Sequence, residues 1–504
     1  MKILRYYLAG LATAFFCAAP VQAQELKPMI QTQWGQAAPY NMFCPKESLA
    51  GPNSPAGCGA IAMAQVMRYL QEPSVSPKGE KYQWELMTQR PSNQEEARAI
   101  ARLVTDCGVN AFTAYGKNSS GTNTFNVLSA MKKCFGLNPY IYIIMREQYP
   151  GDEGRRLWRR LIMDELQAGR PVMMAAQKDS DVHSGHIFII DGVRGSRVHV
   201  NFGWEGKGDG YYALDDLGGF NINQAAIIGI GKADYVPESR EVKTERAGQL
   251  AELLPQNEWK QIRHLRVSGP LDKSDFKVLQ QMAQMDRFIG KGGDLHTLDL
   301  SDAELEYLPD SALCATQTLF YVRLPKKLKQ IGRDAFNSCI LLNEVDIPSS
   351  VWRIRKGAFI NCPNLLSIHI PEGVRNILSG TFCGCKNLTE VTLPESIDTL
   401  GAVVFENCTL LERLYIPAST HQIGADLVKG CPNLREVIID PANKEFAFQN
   451  GKIVGLTKRA QEQLGEIRPD PRAPSTLEEF IKSQQRRVRK VKVVKRNGKW
   501  VEVK

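Results

Sequence analysis

Two passages, far apart in the chain, carry residues able to do covalent chemistry together. The first is Ala56-Gly57-Cys58-Gly59-Ala60-Ile61-Ala62-Met63-Ala64-Gln65-Val66-Met67, which follows a loop-forming Gly-Pro-Asn-Ser-Pro stretch at 51–55. From Gly59 onward the run is rich in helix formers, so Cys58 falls at a helix N-terminus. Unpaired backbone N–H groups and the helix dipole favour a thiolate over a thiol there. The second passage is Ser184-Gly185-His186-Ile187-Phe188-Ile189-Ile190-Asp191-Gly192, then Val198-His199-Val200-Asn201-Phe202-Gly203-Trp204. Its apolar run from Ile187 to Ile190, closed by an Asp-Gly turn, makes His186 the first residue of a buried strand. The next strand, 198–200, would return antiparallel and bring Asn201 towards the same end. A thiol on a helix with an imidazole on a strand is a nucleophile with its proton partner: the thiolate attacks a carbonyl, and the imidazolium protonates the leaving amine. His183 and His199 lack the Gly-His-strand context. Cys44, Cys107 and Cys134 read as packing residues.

Four short patterns carry a resemblance to a known family. They are Gln-x-x-Pro-Tyr-Asn from Gln36, Gly-Cys-x-Ala-x-Ala-x-Ala-Gln-x-Met around Cys58, Gly-His-x-Phe-x-Ile-Asp-Gly around His186, and Asn-x-Gly-Trp from Asn201. Jointly they resemble the streptopain family of bacterial cysteine peptidases, in the papain clan, over about residues 31–235. The resemblance implies Cys58 as nucleophile and His186 as its proton partner. It also implies Gln36 as side-chain donor of the oxyanion hole, Asn201 as a residue near the catalytic histidine, and Trp204 as the tryptophan of a glycine-rich loop that supports the site. One position departs: the member that gives the family its name has Trp directly after that Asn, and this chain has Phe202, without an indole N–H. Family members carry a sizeable inhibitory segment before the catalytic domain. Only residues 24–30 separate Ala23 from the Gln33-Trp34-Gly35-Gln36 passage, so an active form beginning at Gln24 is expected.

The elements that position these residues belong to one of at least two units, since 504 residues exceed one ordinary domain. Helical and strand patterns mix up to about residue 236, as in a compact α+β domain. Beyond about residue 295 the chain repeats. Cys339, Cys362, Cys385, Cys408 and Cys431 are 23 residues apart, and Pro325, Pro348, Pro371, Pro394, Pro417 and Phe336, Phe359, Phe382, Phe405 share the period. Two apolar columns precede each proline, as in Val345/Ile347 and Ile368/Ile370, giving a short strand with one buried face. No such unit buries its face alone, so the units stack into a solenoid. The columns resemble leucine-rich repeats of the BspA-like type over roughly 295–440, with degenerate strands at 264–267 and 295–300 as an N-terminal cap. The outward strand positions, such as Glu344/Asp346 and Arg413/Tyr415, are chemically mixed and offer a face for a host or surface protein or a glycan.

Charge excludes one function class. The net charge of +9 lies entirely in residues 482–504, where ten Lys/Arg face only Glu502. The rest of the chain is balanced, so no nucleic-acid partner is expected. In that tail, Ser475-Thr476-Leu477-Glu478 is a capping box, and 491–496 and 499–503 flank Asn497-Gly498, a hairpin signal. The tail reads as a lysine-edged hairpin on the last repeat, or as a patch for an anionic surface. At the other end, Lys2 and Arg5, an apolar stretch over 6–20, and Val21-Gln22-Ala23 read as a secretory signal cleaved after Ala23. Phe16 before Cys17 is a poor lipoprotein site. No later apolar run spans a membrane. With Cys17 removed in the signal, the remaining eleven cysteines are an odd number; this and the absence of paired C-x-x-C argue against a disulfide scaffold or a structural metal, and no cofactor is implied.

The expected organisation is therefore a signal peptide (1–23), a papain-like cysteine peptidase domain (24–236), a linker (237–262), a BspA-like repeat domain with its cap (263–456), and a linker, helix and basic hairpin (457–504). The expected function is a secreted or cell-surface cysteine endopeptidase acting on protein or peptide substrates. A catalytically silent adhesin is the alternative, and an acyl transferase using the same Cys/His pair is a third reading.

Overall fold

The computed structural model describes residues 25–46, 51–285, 292–449, 452–457, 460–461, 464, 492–496 and 499–503. The chain divides into two compact units between Val236 and Pro237.

The first unit is an α+β domain built on one antiparallel sheet. Its strands are β1 (Glu25–Leu26), β2 (Tyr142–Met145), β3 (Val172–Lys178), β4 (Asp181–Arg194), β5 (Arg197–Asn201), β6 (Gly210–Tyr212) and β7 (Phe220–Ile228). They run in the order β2-β7-β3-β4-β5-β6, with β1 against the far end of β4. The centre of the sheet is apolar on both faces: Val172, Met173 and Met174 of β3 and Phe188, Ile189 and Ile190 of β4 are wholly buried. The return of β5 pairs Asn201 with Ile189, as the sequence pattern anticipates. Helix α1 (Cys58–Leu70) packs on β4 and is buried along most of its length, with even Gln65 fully enclosed. Gly57 opens it at φ 90°, where an added Cβ would also press on the Ser120 carbonyl. Helix α2 (Gln94–Asn110) lies alongside, its first turn capped by the Asn93 side chain, which accepts from the Glu95 and Glu96 amides.

The second unit is a solenoid. Strands Tyr321–Arg323 and Glu344–Asp346 pair in parallel one repeat apart, and the pairs Ser367–His369/Glu390–Thr392 and Arg413–Ile416/Glu436–Ile439 continue the pattern. A second row, Gln330–Ile331 to Gln422–Ile423, runs with the same period. The repeat columns have a physical reading. Phe336, Phe359, Phe382 and Phe405 stack nearly parallel with centroids 5.0, 5.5 and 5.7 Å apart. Each column cysteine donates its thiol to a backbone carbonyl 26 residues earlier: Cys362 to Phe336 at 3.0 Å, Cys385 to Phe359 at 3.2 Å, Cys408 to Phe382 at 3.3 Å. A small donor satisfies a buried carbonyl at the turn where a larger side chain would not fit. All eleven described cysteines are free thiols.

Residues 237–262, expected as a linker, instead open this second unit. Strand β8 (Arg240–Lys243) pairs in parallel with β9 (His264–Pro270), and Leu250, Leu254, Trp259 and Ile262 sit in the solenoid core. The Trp259 indole donates to the Leu254 carbonyl at 2.8 Å. The charged residues between them line an exposed surface and mask the widely spaced apolar positions. In the tail, strands Lys492–Arg496 and Lys499–Val503 pair antiparallel in the register expected of a turn at 497–498. The secretory signal at 1–23 and the capping box at 475–478 lie outside the described residues. Among the described residues no helix is long and apolar enough to cross a membrane.

The division predicts where the chain can be cut. A fragment starting at Pro237 should keep the whole solenoid cap, whereas one starting at Leu250 loses β8 with the buried Val242 and the Thr244 contacts to Ser268 and Pro270. The shorter fragment should melt several degrees lower, since about 1–3 kcal/mol is expected from one lost strand edge. Equal melting temperatures by circular dichroism would show that β8 adds nothing.

Candidate active site

The two sequence passages meet where the N-terminus of α1 faces the start of the apolar run of β4. Cys58 is the first residue of the helix, and its sulfur accepts from the Ile187 backbone amide at 3.4 Å. Ile187 is the neighbour of His186, so strand and helix are joined at the sulfur. The Gln36 passage arrives from the other side. Asn41 donates to the carbonyls of Asn53 and Ser54, both at 3.2 Å, and the Asn53 amide returns a bond to Asn41 at 2.9 Å. This clamp lets the Ala56 amide donate to the Gln36 carbonyl at 2.9 Å, two residues before Cys58. Gln36, a half-buried residue, is thereby held through its backbone beside the loop that feeds the helix.

His186 is buried and held through its backbone neighbourhood. Its Nε2 lies 2.8 Å from the Phe202 carbonyl oxygen. A carbonyl only accepts, so Nε2 carries the hydrogen and Nδ1 is the nitrogen left to take a proton. The orienting group is thus the main chain of residue 202. The change from Trp to Phe at that position leaves this bond intact. The Phe202 ring instead stacks on Trp204 at 4.9 Å, and Trp204 stacks on His186 at 4.6 Å. Phe188 and Phe220 complete an aromatic surround at 5.7 and 5.4 Å. Trp204, at 36% exposure, is the ring of this group that faces solvent.

Asn201 does not reach His186 by any of its hydrogen bonds. Its amide donates to the Thr32 carbonyl at 3.0 Å, and its oxygen accepts from the Gln65 side chain at 3.1 Å and from the Gly203 amide at 3.0 Å. It holds the turn that carries the Phe202 carbonyl. Gly203 takes φ 68°, and a Cβ there would come within 2.9 Å of Ile61 on α1. Gln65, which has no assigned role in the sequence reading, is the centre of this network. Its oxygen also accepts from the Thr32 hydroxyl at 3.0 Å and the Trp34 amide at 3.3 Å. A signal was present: a lone amide in an apolar helix, seven residues after Cys58, lies on the same helix face. The Phe202 carbonyl, a main-chain group, leaves no such signal. His199 is engaged elsewhere, with Nδ1 2.6 Å from the buried Asp191 carboxylate.

Electrostatics favour a neutral pair at rest. Burial pushes the Cys58 thiol up, opposed by the amides of Ile187, Gly59 and Cys58 itself. The helix-end donors expected to yield a thiolate are therefore present but outweighed, even though the residue keeps some accessible surface. Burial also pulls His186 down to about 4, opposed by the Phe202 carbonyl and reinforced by the Lys178 charge.

The profile of the Peptidase C10 family matches residues 34–212, the span that contains all these groups. The first unit thus carries a peptidase C10 domain. The BspA type leucine rich repeat region matches residues 306–435 in six copies. The chain is 29% identical to streptopain of Streptococcus pyogenes serotype M1 over 270 residues, 44% of this chain and 66% of that protein, just under two thirds of its length. It is 28% identical to the thiol protease/hemagglutinin PrtT of Porphyromonas gingivalis over 234 residues, 40% of this chain and 26% of the relative. Among solved structures, Prevotella intermedia interpain A cysteine protease is 29% identical with a TM-score of 0.37, covering 41% of this chain and 95% of that one. The leucine-rich repeat protein of T. pallidum is 27% identical with a TM-score of 0.28, covering 29% of this chain and 72% of that one.

Two outcomes follow for the C10 unit. Gln65→Leu leaves the buried Asn201 and Thr32 groups without their partner, so stability should fall by about 2–3 kcal/mol. Turnover should fall with it, while Gln65→Glu should retain part of both; a Gln65→Leu protein with unchanged urea midpoint would contradict the hub. The second concerns pH. Folded His186 titrates at about 4, against about 6.5 in an unfolded chain. Between these values the unfolded state binds the extra proton, so stability rises with pH through the window and is lost as pH falls towards 4. Between pH 7 and 4.5 the wild type should lose roughly 1–3 kcal/mol more than His186→Gln in urea melts. Equal losses would place His186 outside a burial-depressed site.

Proposed function

We propose that the chain is an exported cysteine endopeptidase whose repeat unit holds it near substrates or a surface. The observation that carries the reading is the junction of α1 and β4, where the Cys58 sulfur accepts from the amide beside a histidine whose tautomer is set by the Phe202 carbonyl. In this reading the thiol proton passes to His186 Nδ1 as sulfur attacks the peptide carbonyl carbon. The oxyanion is met by the Gln36 side-chain amide and the Cys58 backbone N–H, donors already aimed when charge develops. The imidazolium then gives its proton to the leaving amine, and water, deprotonated by the same ring, hydrolyses the thioester. Asn201 acts by positioning the Phe202 turn, and Trp204 by covering one face of the imidazole. No step needs a metal or an organic cofactor.

Export rests on the composition of residues 1–23, and the partner of the repeat face on its open, chemically mixed strand surface. Both are proposals, as are the protein substrates.

The decisive comparison is a casein digest by the wild type and Cys58→Ala under reducing conditions. The substitution should reduce the rate by at least about 10³-fold. Equal rates would remove the peptidase assignment and favour a binding role for the unit.

A further inference from the structure

Strand β3 ends beside the proposed site, and its last residue is a cation. β3 pairs with both β4 and β7, and both pairings shift register between Gln177 and Lys178. Such an irregularity re-aims a side chain out of the strand's alternation. The Lys178 ammonium lies 4.8 Å from the Phe220 ring centroid, and the Phe220 and His186 rings are 5.4 Å apart. The ammonium is therefore no further from the imidazole than these two distances laid end to end. Its charge is close enough to act on His186, where it opposes a second positive charge.

Among the described residues Lys178 forms no ion pair. Nearby, Gln177 accepts from Asn223 at 2.5 Å, and Asp216 accepts from the Gly219 amide at 2.7 Å. Among the described side chains an aromatic face is the counterpart of this half-buried ammonium, and its charge also disfavours the imidazolium that the proposed chemistry needs. A ligand carboxylate placed there would relieve both.

The chemistry fixes which part of a substrate passes by. His186 gives its proton to the leaving amine, so the chain running outwards from the imidazole is the fragment after the cleaved bond. Extended peptide advances about 3.3–3.5 Å per residue, which puts the first three residues after that bond within reach of the ammonium. We infer that Lys178 is a specificity-determining residue that favours substrates with an acidic side chain among the first three positions after the scissile bond. This rests on the peptidase reading above.

The test uses the full chain and quenched fluorescent peptides that differ only at those three positions, one at a time, carrying Glu, Gln or Lys. The wild type should cleave the Glu peptide about 3–10-fold faster than the Lys peptide, in kcat/KM, at one of the positions, the range of a partly exposed charge pair. Lys178→Gln should bring the ratio near one, and Lys178→Glu should reverse it, with the Gln peptide cleaved by all three proteins as the internal reference. Raising the salt to 0.5 M should shrink the wild-type ratio, which a purely structural lysine would not do. A ratio that Lys178→Glu leaves unchanged while the Gln peptide is still cleaved overturns the inference alone. Wild type that cleaves none of the peptides, and matches Cys58→Ala on casein, overturns the peptidase reading and this inference with it.

Discussion

One buried side-chain amide ties the chemistry of the first unit together. Gln65 is fully enclosed on α1 and bonds the Thr32 hydroxyl, the Trp34 amide and the Asn201 side chain. Gln65 and those partners together span the three segments that must converge: the N-terminal passage leading to Gln36, the helix bearing Cys58, and the turn at the end of β5 whose carbonyl orients His186. Each would otherwise be an irregular stretch with unsatisfied polar groups packed against an apolar helix. A polar network in a dry core is stable only when every member is paired, and then it specifies one geometry. The glycine-rich loop is tied in by a second set of bonds, from the Glu205 amide to the Trp34 carbonyl and from Arg90 to Gln33 and the Glu205 carbonyl. The site is thus assembled from main-chain irregularities locked by side-chain amides.

The solenoid reaches order by the opposite route, through repetition. A phenylalanine stack and a thiol-to-carbonyl column recur every 23 residues, so each repeat completes the core of its neighbour. The end units must then be closed by something outside the period. At the N-terminal side that closure is the segment from β8 to helix α3 (Lys273–Met282), whose Asp275 carboxylate accepts from the Gly248, Leu250 and Asp272 amides. Closure by irregular chain is why period alone could not find the start of the unit.

What the sequence made legible follows from which atoms do the holding. The meeting of the Cys58 and His186 passages was readable because the chemistry proposed for them needs particular side chains in particular local contexts. The repeat was readable because its spacing is strict. Residues 237–262 were misread because their apolar residues are few and widely spaced among charges, a pattern that periodicity arguments score as linker. The histidine's orienting group was unreadable because it is a carbonyl, a group every residue has. The departure at Phe202 leaves the bond to His186 in place, because that bond comes from the backbone while the ring stacks on Trp204. Asn201 was placed correctly at the end of β5, but its neighbour in space is Gln65, which no local pattern connects to it.

The aromatic surround of His186 has a further consequence for how the pair can work. Phe188, Phe202, Trp204 and Phe220 remove water from the imidazole and so make its cation expensive, while the dense packing around Cys58 does the same to the thiolate. Burial moves the two groups apart, the thiol up and the imidazole down, so that proton transfer between them is uphill in the empty site. The helix-end amides at Cys58 and the Phe202 carbonyl pull the other way, each favouring the charged form of its partner. In the proposed reaction the peptide carbonyl takes up the sulfur's negative charge as the new bond forms, and the oxyanion donors then make charge separation the better arrangement. The surround thus suits a site in which charge is separated only when there is a bond to attack, with the nucleophile kept as a less reactive thiol until then.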